Sequence, residues 1–293
     1  MKKSMVLLAG IAFCMAIFAD EPAKTDPLAG EPVGERIYLW PKGQVPDMEE
    51  HQYNEPFIEW FIPSNKTTDA VMILSCGGGY NRCAWSPEGN GSGLFKDWLL
   101  EKGMTVVRLH YRTGRSKKKA YFTAAWQDAQ RAVRLVRAGA AKHGVNPDKI
   151  GFYGFSAAAH QALLMAVSSE TKKYEGIDEI DSLPCNINYV VACFPAYVLR
   201  NPKYPKPNDE FKFEGTIPPV FLMHGDADHH TPMASIRMYE KLHAMKVPVE
   251  MHILATRGHD LWSKAEPGTP AAEWKEMIWR WLVQMKFCPA RDN

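Results

Sequence analysis

Beyond residue 57 the apolar positions gather into short runs separated by longer segments of helical period. Ala70–Ser75 (AVMILS) is such a run and ends at three glycines. Met104–His110 (MTVVRLH), Lys149–Phe155 (KIGFYGF), Tyr189–Phe194, Pro219–His224 and Val249–Leu254 repeat the pattern. Short, largely apolar runs of this kind predict strands, and the continuously apolar AVMILS run predicts a buried strand of a parallel sheet. Between them, Gly93–Lys102 carries Leu94, Phe95, Trp98 and Leu99 at helical spacing. Tyr121–His143 sets Ala125, Ala129, Ala132, Val133 and Val136 on one side and basic residues on the other. Ala157–Ser169, Thr231–Met245 and Ala271–Lys286 predict further helices, the last with the Trp274–Trp281 stripe as its inward face. Strands alternating with helices imply an α/β domain, a mostly parallel sheet with helices on both faces.

Two stretches lack this pattern. Residues 20–56 are rich in Pro, Gly and acids, with Tyr38-Leu39-Trp40 as one apolar knot, and read as an arm over the domain surface. Residues 195–218 hold five prolines and no period. A link that long is commonly a lid, a substrate wall or a mobile segment. Ahead of the arm, Lys2 and Lys3 precede an apolar run of ~14 residues from Met5 to about Phe18, followed by Ala19. That is the layout of a secretory signal peptide over residues 1–19, and the run is short for a spanning helix. The expected location is therefore secreted or periplasmic, with no stable membrane insertion.

Charge narrows the partners. Without Lys2 and Lys3 the 35 bases become 33, equal to the 33 acids. Nucleic-acid binding needs a basic face, which this balance disfavours. Of six cysteines, five lie beyond the leader: Cys76, Cys83, Cys185, Cys193 and Cys288. An odd count leaves at least one unpaired. Cys76 and Cys83, or Cys185 and Cys193, are near enough for local bridges in an oxidising compartment, and the alternative is that they are small buried apolar residues.

Candidate chemistry sits at the strand ends. Lys149–Phe155 runs into Gly154-Phe155-Ser156-Ala157-Ala158 and then a helix, the strand–turn–helix setting that exposes a nucleophilic hydroxyl. Small residues at 154 and 158 let strand and helix approach. The competing reading of Ser156 is a helix N-cap. After later strands come His224-Gly225-Asp226-Ala227-Asp228-His229-His230 and then Gly258-His259-Asp260. His259 is the candidate general base, and Asp226 and Asp228 compete as the acid that orients it. Gly77-Gly78-Gly79 follows the first clear strand, so Gly78 and Gly79, with Ala157 after the serine, are candidate N–H donors to an oxyanion. His229 and His230 resemble half of a metal site, but no third ligand at suitable spacing is evident, so neither metal nor cofactor is expected. Asp260 reads as a solvated residue.

The order Ser, Asp, His and the segment HGDADHHTP resemble the α/β-hydrolase superfamily, whose H-G-x-x-D-x-x-[VT]-P motif implies Asp228 as the acid. The domain 57–293 then corresponds to an α/β-hydrolase catalytic domain. Gly77–Tyr80, Ala84, Glu88-Gly89, Tyr111-Arg112, Asp128–Ala132 and Gly154–His160 resemble small secreted bacterial carbohydrate esterases, the acetylxylan and feruloyl esterase-like group. Ala158-Ala159 stands where that group has Gly-Gly. The resemblance implies hydrolysis of short acyl, chiefly acetyl, esters on polysaccharide, with no cofactor. Tyr80, Trp85, Tyr197 and Trp262, near predicted strand ends, are candidates for stacking on sugar, and core or lid packing is the other reading. Arg82 reads as solvent-facing. Two alternatives stand: a prolyl-oligopeptidase-like serine peptidase, which lacks its propeller here, and a catalytically dead binding module on the same fold.

Overall fold

A computed structural model describes residues 34–52, 55–83, 92–201, 203–263 and 265–290, with only the backbone given at 92–94. The expected leader at 1–19 and Trp85 lie outside the described residues.

Six strands match the six apolar runs: β3 (Val71–Ser75), β4 (Thr105–His110), β5 (Ile150–Phe155), β6 (Tyr189–Cys193), β7 (Val220–Gly225) and β8 (Val249–Leu254). They pair in parallel, in the order β4-β3-β5-β6-β7-β8. Every residue of β3, β4, β5, β6 and β7 is buried, so these strands are largely apolar and the polar side chains within them, Arg108 and His224 among them, are buried too. Helices α1 (Ser92–Glu101), α2 (Thr123–Gly139), α3 (Ala157–Val167), α4 (Met233–Ala244) and α5 (Trp274–Gln284) fill the connections. Among the described residues no helix is long and apolar enough to cross a membrane.

The sheet gains two strands from the stretch read as an arm and its margin. β1 (Glu35–Tyr38) pairs antiparallel with β2 (Phe57–Phe61), which pairs antiparallel with β4. Nothing in the sequence pattern marks β1 as a strand, and the reason is physical. β1 is an edge strand with Glu35, Arg36 and Tyr38 exposed, so burial leaves no period in it. β2 hides a charge inside: Glu59 is buried, takes a hydrogen bond from Arg36 Nη2 at 3.0 Å and lies 3.0 Å from His110 Nε2.

The arm is also bolted to α2. Leu39 is fully buried, and its carbonyl accepts from Arg131 Nε at 2.7 Å. Trp40 Nε1 donates to Asp128 Oδ1 at 2.8 Å. Asp128 in turn accepts from Arg112 N at 2.7 Å and from Arg112 Nε at 3.0 Å, with both side chains fully buried. Removing one member strands the other charge in a dry interior, which typically costs about 3–5 kcal/mol. Asp128→Ala is therefore expected to lower unfolding free energy by about that amount in urea denaturation. A loss below about 1 kcal/mol, the size of an exposed pair, would contradict this account of the arm.

Candidate active site

Ser156 occupies the junction of β5 and α3, with φ 56° and ψ −120°. A non-glycine residue pays for that backbone, and here four main-chain bonds hold it. Ser156 N–H donates to Cys193 O at 3.0 Å, and the Ser156 carbonyl accepts from the N–H groups of Ala159, His160 and Ala196. The turn also requires β5 and α3 to touch. A Cβ on Gly154 would lie 2.1 Å from the Ala158 carbonyl oxygen, so no side chain fits there.

His259 arrives from the loop after β8, and Asp228 from the loop after β7. These loops are stitched together: Asp226 N–H donates to Leu254 O and Ala227 N–H to Arg257 O, both at 2.9 Å. Gly225 is pressed against that second loop, where a Cβ would meet Arg257 O at 2.2 Å. Arg257 braces its own loop by donating to Leu261 O at 2.8 Å and to Ser263 O.

The three side chains meet. Ser156 Oγ–H donates to His259 Nε2 at 2.7 Å, across 103 positions of chain. His259 Nδ1–H donates to Asp228 Oδ2 at 2.8 Å. Asp228 is buried, whereas Asp226, the competing acid, is exposed. Burial would raise the Asp228 carboxyl, but hydrogen bonds from His224, His259 and the His230 N–H outweigh it and hold the group well below the usual carboxylate range. His224 was not anticipated as a partner. Its Nε2 lies 3.1 Å from Asp228 Oδ2, and its Nδ1 is held by Ser235 Oγ at 2.8 Å. His230 is pushed down to about 4, first by burial and then by the neighbouring imidazoles of His259 and His229.

Gly78, Gly79 and Ser156 border one cavity of about 350 Å³. Gly78 (φ 118°) and Gly79 (φ 64°) both use backbone that glycine adopts freely. A disulfide between Cys76 and Cys83 closes this loop. Of the two readings left open for those cysteines, the bridge is the one found; Cys185, Cys193 and Cys288 are free and buried. Ala157 is the first residue of α3, so its N–H has no acceptor inside the helix. Arg115, which no motif singled out, grips the loop from outside: Nε donates to Gly79 O at 2.8 Å and Nη2 to the Tyr197 hydroxyl at 2.6 Å.

Trp262 lines the cavity with Phe155 and Phe194 as an apolar wall. Tyr80 does not reach it, and the expectation that it stacks on substrate is corrected. Its backbone turns left-handed (φ 66°), which directs the ring inward; it is 1% exposed and its hydroxyl donates to His160 Nδ1 at 2.8 Å. His160 faces Glu210 at 3.5 Å, so part of the proline-rich link lies against α3 beneath the site. Arg82 and Asp260, read as solvated, are exposed and also border the cavity mouth.

Residues 58–214, more than half of the chain, match the family model BD-FAE. The acetylxylan esterase of Xylanibacter ruminicola is 30% identical over 115 residues, covering 39% of this chain and 22% of that protein. Endo-1,4-beta-xylanase B of Butyrivibrio fibrisolvens is 25% identical over 238 residues, covering 73% and 37%. The chain thus spans well under half the length of either curated relative. Among solved structures, an acetyl ester-xyloside bifunctional hydrolase from Caldicellulosiruptor lactoaceticus is similar at TM-score 0.72 and 26% identity, over 88% of this chain and 98% of that one. A thermophilic esterase from Thermogutta terrifontis shares the fold at TM-score 0.69 and 20% identity, over 89% and 97%. With its eight-stranded, mostly parallel sheet and helices between the strands, the chain has the α/β-hydrolase fold and belongs to the BD-FAE family.

Proposed function

We propose that this chain is a serine esterase that hydrolyses short acyl esters, acetyl foremost, carried on a polysaccharide or oligosaccharide. The observation that carries the reading is the unbroken hydrogen-bond line from Ser156 Oγ through His259 to Asp228, opening into the glycine-bordered cavity. In this scheme His259 takes the Ser156 proton as Oγ attacks the ester carbonyl. Asp228 fixes the tautomer and offsets the imidazolium charge. The N–H groups of Gly78, Gly79 and Ala157 stabilise the oxyanion. The proton then passes from His259 to the departing sugar alcohol, leaving an acyl-Ser156 that water releases by the reverse route.

The names of the relatives support the substrate class: one is an acetylxylan esterase and one solved neighbour acts on acetyl esters and xylosides. The apolar wall of Phe155, Phe194 and Trp262 suits a short acyl group or a sugar face. Export is part of the proposal. It rests on the leader-like residues 1–19, and the Cys76–Cys83 bridge supports it, since disulfides persist in oxidising compartments.

Ser156→Ala is expected to lower kcat on aryl acetates by about 10⁴-fold or more without changing the unfolding midpoint. Asp228→Asn should cost about 10⁴-fold and Asp226→Asn almost nothing. A larger effect at 226 would reassign the acid. Wild type should release acetate from acetylated xylan, and failure there with brisk aryl acetate turnover would remove the polysaccharide from the proposal. Replacing Cys76 and Cys83 together by Ser should lower kcat by about 10-fold or more with little change in KM, because oxyanion donors act in the transition state. An unchanged kcat would show that the bridge does not position the loop.

A further inference from the structure

Adjacent histidines such as His229 and His230 rarely converge on one ion unaided, and the sequence shows no third ligand at suitable spacing. The fold supplies one from another loop. The rings of His229 and His230 are 4.3 Å apart between centroids, and each lies 4.7 Å from the ring of His259. One ring nitrogen from each of the three lies within 4.8 Å of one from each of the others. We propose that His229, His230 and His259 form an inhibitory site for a divalent transition-metal ion of the zinc class, which silences the enzyme by capturing the imidazole that Ser156 requires.

The ligand chemistry fits. Three imidazoles suit Zn²⁺, Cu²⁺ or Ni²⁺ and not the hard cations Mg²⁺ or Ca²⁺. Zinc–nitrogen bonds of about 2.0–2.1 Å place ligand nitrogens roughly 3.3 Å apart, so the rings must close by ~1.5 Å at most. His229 can make that movement, because 69% of its side chain is exposed. Asp228 stands behind two of the three rings. Its Oδ2 accepts from His259 Nδ1, which leaves the Nε2 lone pair outward, and its Oδ1 lies 3.5 Å from His229 Nδ1. A carboxylate behind a ligating histidine fixes the tautomer and raises the basicity of the other nitrogen. It also supplies a buried negative charge close to the cation. The same Nε2 is the atom that accepts from Ser156 Oγ at 2.7 Å. A metal bonded there occupies the lone pair that would take the serine proton, so loaded enzyme does not turn over. Three protein ligands leave the fourth tetrahedral position to water.

The inhibition rests on the proposed role of His259 in the reaction, whereas the binding does not, and the test separates them. Zinc chloride is titrated calorimetrically, in a non-chelating buffer, into wild type, Ser156→Ala and His229→Ala, and aryl acetate turnover is followed over the same concentrations. The expected result is one ion per chain in wild type and in Ser156→Ala, with turnover lost over the same range and restored by EDTA. Without zinc, His229→Ala should turn over within about two-fold of wild type, yet lose at least the ~10–100-fold in zinc affinity that even a supporting contact is worth. Inhibition should weaken in parallel. Zinc binding that is unchanged by His229→Ala, or absent in wild type at millimolar ion, overturns the site. Binding that depends on His229 but leaves an active enzyme running overturns the inhibitory role. If wild type has no turnover at all while zinc binds wild type and Ser156→Ala and binds His229→Ala more weakly, the site stands and the esterase reading falls.

Discussion

The contact between β5 and α3 is the constraint on which the rest of this site depends. Ser156 can project its hydroxyl into the cavity only if the chain reverses within one residue, and that requires a left-handed backbone at a residue with a side chain. Such a conformation costs of order 1–3 kcal/mol. It persists because Gly154 lets the helix backbone come to within 2.1 Å of where a Cβ would sit, and because the Ser156 peptide groups are bonded to β6 and to the first turn of α3. The elbow is thus set by the sheet and the start of α3, with one further bond from Ala196 in the proline-rich link.

The partners are held by a second close approach, between the loops after β7 and β8. Gly225 and the main-chain bonds of Asp226 and Ala227 bring the acid-bearing loop against the histidine-bearing one. Asp228 is the hub of that junction. It lies within hydrogen-bond distance of His224 and His259 and accepts from the main chain at His230, so one buried carboxylate orients a proposed base and shapes its own loop. Across the cavity the glycine loop is restrained from two sides, by the Cys76–Cys83 bridge and by the Arg115 contact with Gly79. Beneath it the buried Tyr80 and His160 and the half-buried Glu210 form a polar layer that joins the glycine loop to the proline-rich link. Each wall of the site is therefore tied to a different part of the sheet.

How much of this the sequence disclosed follows from burial. The parallel strands are legible because β3 to β7 are covered on both faces and are largely apolar, with Arg108, His110 and His224 as buried exceptions, whereas half-exposed β8 alternates Glu250 and His252 with apolar positions. β1 is not legible, since its side chains face solvent and its place is fixed by pairing with β2 alone. Ser156, Asp228 and His259, which the structure brings within hydrogen-bond distance, are legible as candidates because strand ends are readable. Tyr80 was misplaced because position beside a glycine loop says nothing of which way a left-handed residue points. Arg115 sits in the basic stretch RTGRSKKK, where nothing distinguishes one cation from its neighbours. The third imidazole beside His229 and His230 is invisible for the same reason in another form. It is distant in sequence, and only the junction of the two loops brings it near.

The most direct measurement is covalent labelling with a fluorophosphonate, read as intact mass and then by peptide mapping. A hydroxyl activated by His259 at a strained elbow should take up one phosphonate per chain, on Ser156, and the labelling rate should collapse in His259→Ala while the protein stays folded. An adduct on any other residue, or equal labelling with the imidazole removed, would contradict the account.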